Sequence, residues 1–175
     1  KPSPFTPLCT LKIGELFNSV FPAGVFNVVS GGDDLGPMMT AHPGFAKISF
    51  TGSTATGKRV MESAARDLKR LTLELGGNDA SIVLPDVALD AVAQNIFMAA
   101  FYNTAQICVA TKRLYVHEDV YDGLRDRLAA IAGAVKVGDG SEQGTVLGPV
   151  QNKRQYDRVM ELLDDARASG LTLIQ

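Results

Sequence analysis

Runs of β-favouring residues that stop at glycine recur through the first half of the chain. Residues 25–30 (VFNVVS) end at Gly31-Gly32, residues 46–51 (AKISFT) at Gly52-Ser53, and residues 69–75 (KRLTLEL) at Gly76-Gly77. Short apolar runs punctuated in this way read as buried strands. Helical spacing marks residues 7–20, closed by Pro22-Ala23-Gly24, residues 35–42 and residues 54–67. The second half continues the alternation. Residues 80–84 (ASIVL) form a strand stopped by Pro85-Asp86, and a long helix follows over residues 88–103. Residues 113–117 (RLYVH) are a strand, residues 120–135 an amphipathic helix, and residues 138–148 a Gly-rich loop. A further helix covers residues 152–169, and residues 171–174 begin a strand. Such alternation implies an α/β fold with parallel sheets. The Gly76-Gly77-Asn78-Asp79 turn is the best domain boundary, dividing residues 1–76 from residues 77–175. A chain that stops as a strand begins reads as a fragment, and the first residue, Lys1, is not Met.

Charge and composition exclude several functions. Lys and Arg total 17 against 19 Asp and Glu, a net charge of −2, with no basic stripe for nucleic acid. No apolar run approaches the ~20 residues that span a bilayer, and no signal peptide is visible, so a cytoplasmic location is expected. Two cysteines, Cys9 and Cys108, and two histidines, His42 and His117, fit no Cys/His zinc pattern. No metal site is therefore expected, and a cytosolic chain seldom carries a lone structural disulfide.

Three features carry chemistry. The first is the strand–loop–helix passage through Gly52-Ser53-Thr54-Ala55-Thr56-Gly57-Lys58. It aims backbone N–H groups and a helix N-terminus at an anion. A P-loop would need Ser or Thr after the lysine, but Arg59 stands there, so NTP hydrolysis lacks its Mg²⁺-binding hydroxyl. The dinucleotide fingerprint G-x-G-x-x-G is also absent. The loop reads equally as a helix start capped by Ser53 or Thr54, with no ligand.

The second is Glu74, near the end of a strand otherwise built from Leu71, Thr72, Leu73 and Leu75. A buried carboxylate there is costly unless paired or protonated. Desolvation would raise its pKa and make it a candidate general base. A strand-end Glu that points to solvent is the other reading. The third is Cys108, which follows the long apolar helix in Asn103-Thr104-Ala105-Gln106-Ile107-Cys108. Free cysteines are often inert core residues, whereas a working thiol needs partial exposure and a nearby base. Cys9, in an amphipathic helix without such company, is expected in the core.

FTGSTATGK at 50–58, LELGGNDA at 73–80 and NTAQICVATKRLYV at 103–116 together resemble the aldehyde dehydrogenase superfamily. The order of the motifs matches, as does the 34-residue interval from Glu74 to Cys108. The opening KPSPFTPL is similar to the family segment that holds the adenosine ribose. The resemblance covers the whole chain. It implies a Rossmann-like, parallel-sheet cofactor-binding half joined to an α/β catalytic half, both incomplete. It further implies that Cys108 attacks an aldehyde, that hydride passes to NAD, and that Glu74 activates the water that hydrolyses the thioester. The Cys108 backbone N–H would serve the oxyanion hole. Gly52 and Ser53 would meet the cofactor pyrophosphate, Lys1 the adenosine ribose, Gly36 the start of a helix near the adenine, and Leu75 the nicotinamide. Tyr102, Ile107 and Val109 would line the aldehyde pocket.

Two departures from the family pattern stand out. Ala105 replaces the Gly that usually precedes the Gln, which costs roughly 1 kcal/mol or more if φ is positive there. Pro4 stands where NAD-preferring members often carry Glu, so NADP use is open beside NAD. The family's oxyanion Asn and its nicotinamide-binding Glu-x-Phe motif would lie before Lys1 and after Gln175. The 175 residues alone are therefore expected to turn over little or no aldehyde and to self-associate, while the parent forms a homodimer or homotetramer. Two other functions are open. A CoA-acylating relative would commonly lack Glu74. A non-catalytic nucleotide-binding module would give no reason for Glu74 and Cys108 at this spacing.

Overall fold

In the computed structural model, which describes residues 1–174, parallel strands joined through helices organise the chain. It comprises two compact units, Lys1–Leu75 and Gly76 onward. In the first unit helix α1 (Leu8–Asn18) and helix α2 (Leu35–Ala41) precede strand β1 (Lys47–Thr51), helix α3 (Thr54–Ala65) and strand β2 (Arg70–Glu74). β1 and β2 pair in parallel, from Lys47 opposite Arg70 to Thr51 opposite Glu74. Parallel neighbours need a crossover, and α3 supplies it. The helix buries Gly57, Val60 and Ala64. A Cβ on Gly57 would come within 2.7 Å of the Leu75 side chain, so a side chain here would require Leu75 to move aside.

Lys69, just ahead of β2, has a nearly buried side chain. Its ammonium donates to the carbonyls of Thr40 (2.7 Å) and His42 (2.8 Å) and lies 3.2 Å from Asp67. A cation at the end of α2 meets carbonyls that the helix leaves without partners. Lys69→Met keeps the stem but removes the donor to both carbonyls, of which that of His42 retains the Phe45 N–H, and is expected to cost ~3 kcal/mol of stability. Urea unfolding checks this; an unchanged midpoint would refute it.

The second unit repeats the plan. Strand β3 (Asp79–Val83), helix α4 (Leu89–Phe101), strand β4 (Thr111–Val116), helix α5 (Glu118–Ala134) and helix α6 (Lys153–Ala168) follow in order. β3 and β4 pair in parallel, with a register shift between Asp79 and Ala80. The core gathers Val83, Ala93 and Leu124, with Leu89, Val92, Ile96, Leu114, Val116 and Leu128 packed against it. These residues recur at helical spacing on α4 and α5 and on alternate positions of β4, so the two periodicities meet on one apolar seam. His117 caps α5 by accepting from the Asp119 N–H. In the loop before α6, the Ser141 backbone N–H and hydroxyl hold the Asp139 carboxyl below its ordinary value.

Two expected strands do not form. Residues 25–30 have no ladder partner among the described residues. Their side chains turn to α1 instead: Phe26 meets Phe17 edge-on at 4.8 Å, and a Cβ on Gly14 would strike Val28 at 2.8 Å. Residues 171–174 likewise run without a partner, and Gln175 lies outside the described residues. β propensity records a fit to a pleated surface, and without a neighbour to supply hydrogen bonds it yields no strand. Cys9, expected in the core, is exposed on α1, whose one buried residue is Gly14. Among the described residues no helix is long and apolar enough to cross a membrane. None of their His, Cys, Asp and Glu side chains gather in a metal-binding group of three.

Candidate active site

The anion-facing loop of the first unit is built by the end of β1. The Gly52 N–H donates to the Glu74 carbonyl at 3.0 Å, fastening the loop to the last residue of β2. That N–H is therefore engaged within the protein, and Gly52 contributes its missing side chain: a Cβ would fall 2.5 Å from the Phe50 ring. Ser53 (φ −72°, ψ 149°) is the N-cap of α3, its Oγ accepting from the Thr56 N–H at 3.2 Å. The remaining N–H groups of the first turn have no partner inside the helix, as at every helix start. Lys1 is exposed, its ammonium donating to the Pro2 carbonyl, and Gly36 lies half-buried in the first turn of α2. Leu75 is half-buried against Gly57.

Glu74 ends β2 with an exposed side chain, the strand-end placement that was one of the two its sequence left open. The strand's interior positions, Leu71 to Leu73, take the half-buried sites, and the two end residues, Arg70 and Glu74, stand exposed. A carboxylate in contact with water is not desolvated and needs no buried partner.

Cys108 belongs to the second unit and sits on an unusual piece of backbone. After α4, Asn103 (φ 52°), Thr104 (φ 56°) and Ala105 (φ 59°) all adopt left-handed conformations. Each costs ~1–2 kcal/mol in an L-residue, least for Asn. Ala105 pays the penalty anticipated for a methyl group in place of Gly. The turn is held by contacts to a distant segment. Thr104 Oγ1 donates to the Gly148 carbonyl (3.1 Å), and Gln106 Oε1 accepts from the Gln151 N–H (2.8 Å). Gln106 Nε2 also donates to Asn103 (3.1 Å) and, more weakly, to Pro149 (3.4 Å). Strain concentrated beside a candidate nucleophile, with surroundings that over-determine it, is a recurrent mark of functional sites.

Residues 107–110 then form a turn in which the Ala110 N–H reaches back to the Ile107 carbonyl at 3.5 Å. Ile107 is half-buried and Ala110 fully buried, which anchors both ends; Cys108 and Val109 project into solvent from the middle. Tyr102, at the end of α4, is also exposed. Tyr102, Ile107 and Val109 thus share the second unit with the thiol, whereas Glu74 and the expected cofactor contacts belong to the first.

Three supports of the cysteine turn went unnoticed in the sequence: Gly77, the Thr104–Gln106 clamp, and Lys112. Gly77 had a visible signal, being the second glycine of LELGGNDA. A Cβ there would stand 2.6 Å from the Cys108 carbonyl oxygen and 2.5 Å from Asp79 Oδ1. The backbone oxygen cannot swing aside alone, so Gly77→Ala must displace the whole turn. It is expected to cost ~1–3 kcal/mol and to change the rate at which iodoacetamide labels Cys108. Equal stability and equal labelling in the variant would show that the turn yields freely.

The sequence profile of the aldehyde dehydrogenase family matches residues 1–175. The chain belongs to the aldehyde dehydrogenase family. A curated relative from Pseudomonas sp, named "Probable aldehyde dehydrogenase", is 56% identical over 165 residues, covering 94% of this chain and 34% of that protein. Aldehyde dehydrogenase C from Pseudomonas syringae, solved as a variant with NAD⁺ and octanal, superposes with a TM-score of 0.89 at 36% identity. That match covers 97% of this chain and 35% of the other. Betaine aldehyde dehydrogenase from Staphylococcus aureus, solved with NAD⁺, gives a TM-score of 0.89 at 30% identity, with 97% and 34% covered. The chain spans about a third of the length of these aldehyde dehydrogenases. Its two small parallel sheets with crossover helices are part of that family's fold.

Proposed function

We propose that the protein containing this segment oxidises an aldehyde to a carboxylic acid, with Cys108 as nucleophile, Glu74 as general base and NAD as hydride acceptor. The observation that carries the reading is the thiol itself: Cys108 is exposed at the middle of a turn fixed by buried Ala110, by Gly77 and by the Gln106 clamp. A nucleophile needs that combination of access and fixed position. The thiolate adds to the aldehyde carbon, the carbonyl π electrons move onto oxygen, and a thiohemiacetal forms. The Cys108 N–H donates to that oxygen. NAD, when bound, supplies the acceptor for the hydride. Cys108 is left as a thioester, and Glu74 takes a proton from the water that attacks it. The acid departs and the thiol returns.

The residues at the start of α3 fit a dinucleotide. The Ser53-capped first turn offers N–H groups to a pyrophosphate, and Gly52 adds no side chain in the way. Lys1, Gly36 and Leu75 would meet the ribose, the adenine side and the nicotinamide in turn, as the family resemblance implies. NAD is favoured because related structures were solved with NAD⁺. NADP is the alternative, because Pro4 sets no carboxylate against a 2′-phosphate. In this reading residues 1–76 are part of the dinucleotide-binding domain and residues 77–175 part of the catalytic domain. Tyr102, Ile107 and Val109 form one apolar wall of the aldehyde pocket, and the protein acts in the cytoplasm as a dimer or tetramer. The 175 residues alone, without the rest of the oxyanion hole, turn over at least ~10²-fold more slowly than an intact enzyme.

Mass spectrometry of the intact protein after exposure to octanal and NAD⁺ tests the chemistry. An acyl adduct on the peptide carrying Cys108, dependent on NAD⁺, is expected. Adduct on Cys9 alone, or on neither cysteine while acid still forms, would overturn the assignment.

A further inference from the structure

Lys112, the second residue of β4, turns its ammonium back on the cysteine turn. Nζ lies 2.9 Å from the Ala110 carbonyl oxygen, 3.2 Å from that of Cys108 and 3.5 Å from that of Ile107. The first two are ordinary charge-assisted hydrogen bonds, and the third is an outer-limit contact held by charge. Three carbonyls of a four-residue turn thus face one cation.

A trans peptide points its C=O and N–H in opposite directions within one plane, and the described residues have no cis bond. Drawing the Ile107 carbonyl toward Lys112 therefore turns the Cys108 N–H away from it. Drawing the Cys108 carbonyl does the same to the Val109 N–H. Among the described residues neither N–H is given an acceptor within the protein. Two adjacent donors beside the thiol are thus left free, while the carbonyls that would repel a developing negative charge are collected elsewhere.

We infer that Lys112 is a positioning residue for aldehyde addition: by holding the carbonyls of Ile107, Cys108 and Ala110, it aims the N–H groups of Cys108 and Val109 at the aldehyde oxygen. The inference rests on Cys108 being the nucleophile, as proposed above. Lys112 touches neither the thiol nor the aldehyde. Its effect falls on a step that places negative charge on oxygen, and spares a step at the same sulfur that does not.

Two reactions at Cys108 separate these cases. Iodoacetamide alkylates the thiol by displacement at a saturated carbon and creates no oxyanion. Butanal forms a thiohemiacetal, which does, and so protects the thiol from alkylation. Exposed Cys9 on α1 serves as the internal reference within the same chain. In the unsubstituted chain butanal is expected to protect Cys108 at lower concentration than Cys9. In Lys112→Met the concentration that half-protects Cys108 should rise about tenfold or more, with the alkylation rate in the absence of butanal changed less than about twofold. Lys112→Arg, which retains the charge and donors, should recover part of the protection. Equal protection in the unsubstituted chain and Lys112→Met would overturn the role of Lys112 and leave the nucleophile intact. Loss of alkylation and protection together, with no rescue by Lys112→Arg, would reduce Lys112 to a structural support and also overturn the proposal. No preference for Cys108 over Cys9 in the unsubstituted chain would refute the nucleophile assignment itself, and the inference with it.

Discussion

Replacing Cys108 with alanine in the intact enzyme is expected to lower turnover by on the order of 10⁴ or more while leaving the fold in place. The two halves of that expectation have separate grounds. The thiol is exposed and makes no contact that the turn depends on: the anchors are Ala110, the Gln106 clamp and Lys112. Trimming an exposed side chain away from such anchors changes stability by about 0.5 kcal/mol or less. In the proposed mechanism turnover depends on the sulfur itself, which forms and releases the thioester. Urea unfolding and steady-state production of reduced cofactor, read on one preparation, check both halves. Retained turnover would remove Cys108 from the mechanism. A collapsed unfolding midpoint would show that the thiol is structural.

Glu74→Gln should divide the reaction in two. The amide keeps the shape and the exposed position at the end of β2 but cannot take a proton from water. Loss of a positioned general base costs on the order of 10²–10⁴ in rate. If hydrolysis of the thioester is the step that suffers, mixing the variant with aldehyde and NAD⁺ gives a burst near one equivalent of reduced cofactor, then a stall. The acyl group should remain on Cys108 and be visible by mass spectrometry. Unimpaired steady turnover would exclude Glu74 as the base. Loss of the burst as well would move its role earlier, to deprotonation of the thiol. The exposure of Glu74 bears on this choice, since a base in contact with water is placed to draw on it.

Much of the architecture was legible because it depends on neighbours in sequence. β1, β2, β3 and β4, and the helices between them, follow from apolar runs of two periodicities punctuated by Gly and Pro. The sequence offered Ser53 or Thr54 as the cap of α3, and Ser53 is the one that serves. The failures have a common cause. Residues 25–30 carry every local mark of a strand, yet a strand exists only where another chain segment completes its hydrogen bonds. The spacing of its helix points Cys9 to the core, and the folded chain leaves it exposed. In each case the face that packs is chosen by what lies across from it, which spacing alone does not contain.

Cys108 shows the same division at the scale of one residue. Its candidacy, its 34-residue distance from Glu74 and the family to which the chain belongs are properties of the sequence by itself. Ala105 could be marked there as a departure, with a cost contingent on the sign of φ. Tertiary structure decided that sign, and it decided what sustains the strain: Thr104 donates to the Gly148 carbonyl and Gln106 accepts from the Gln151 N–H, partners more than forty positions away. The same is true of Lys112, an ordinary surface lysine in the sequence, whose ammonium finds three carbonyls only because the chain doubles back between Ile107 and β4. Local preference is additive along the chain and can be read from it. The aim of a peptide N–H beside a nucleophile depends on contacts that exist only once distant segments have met.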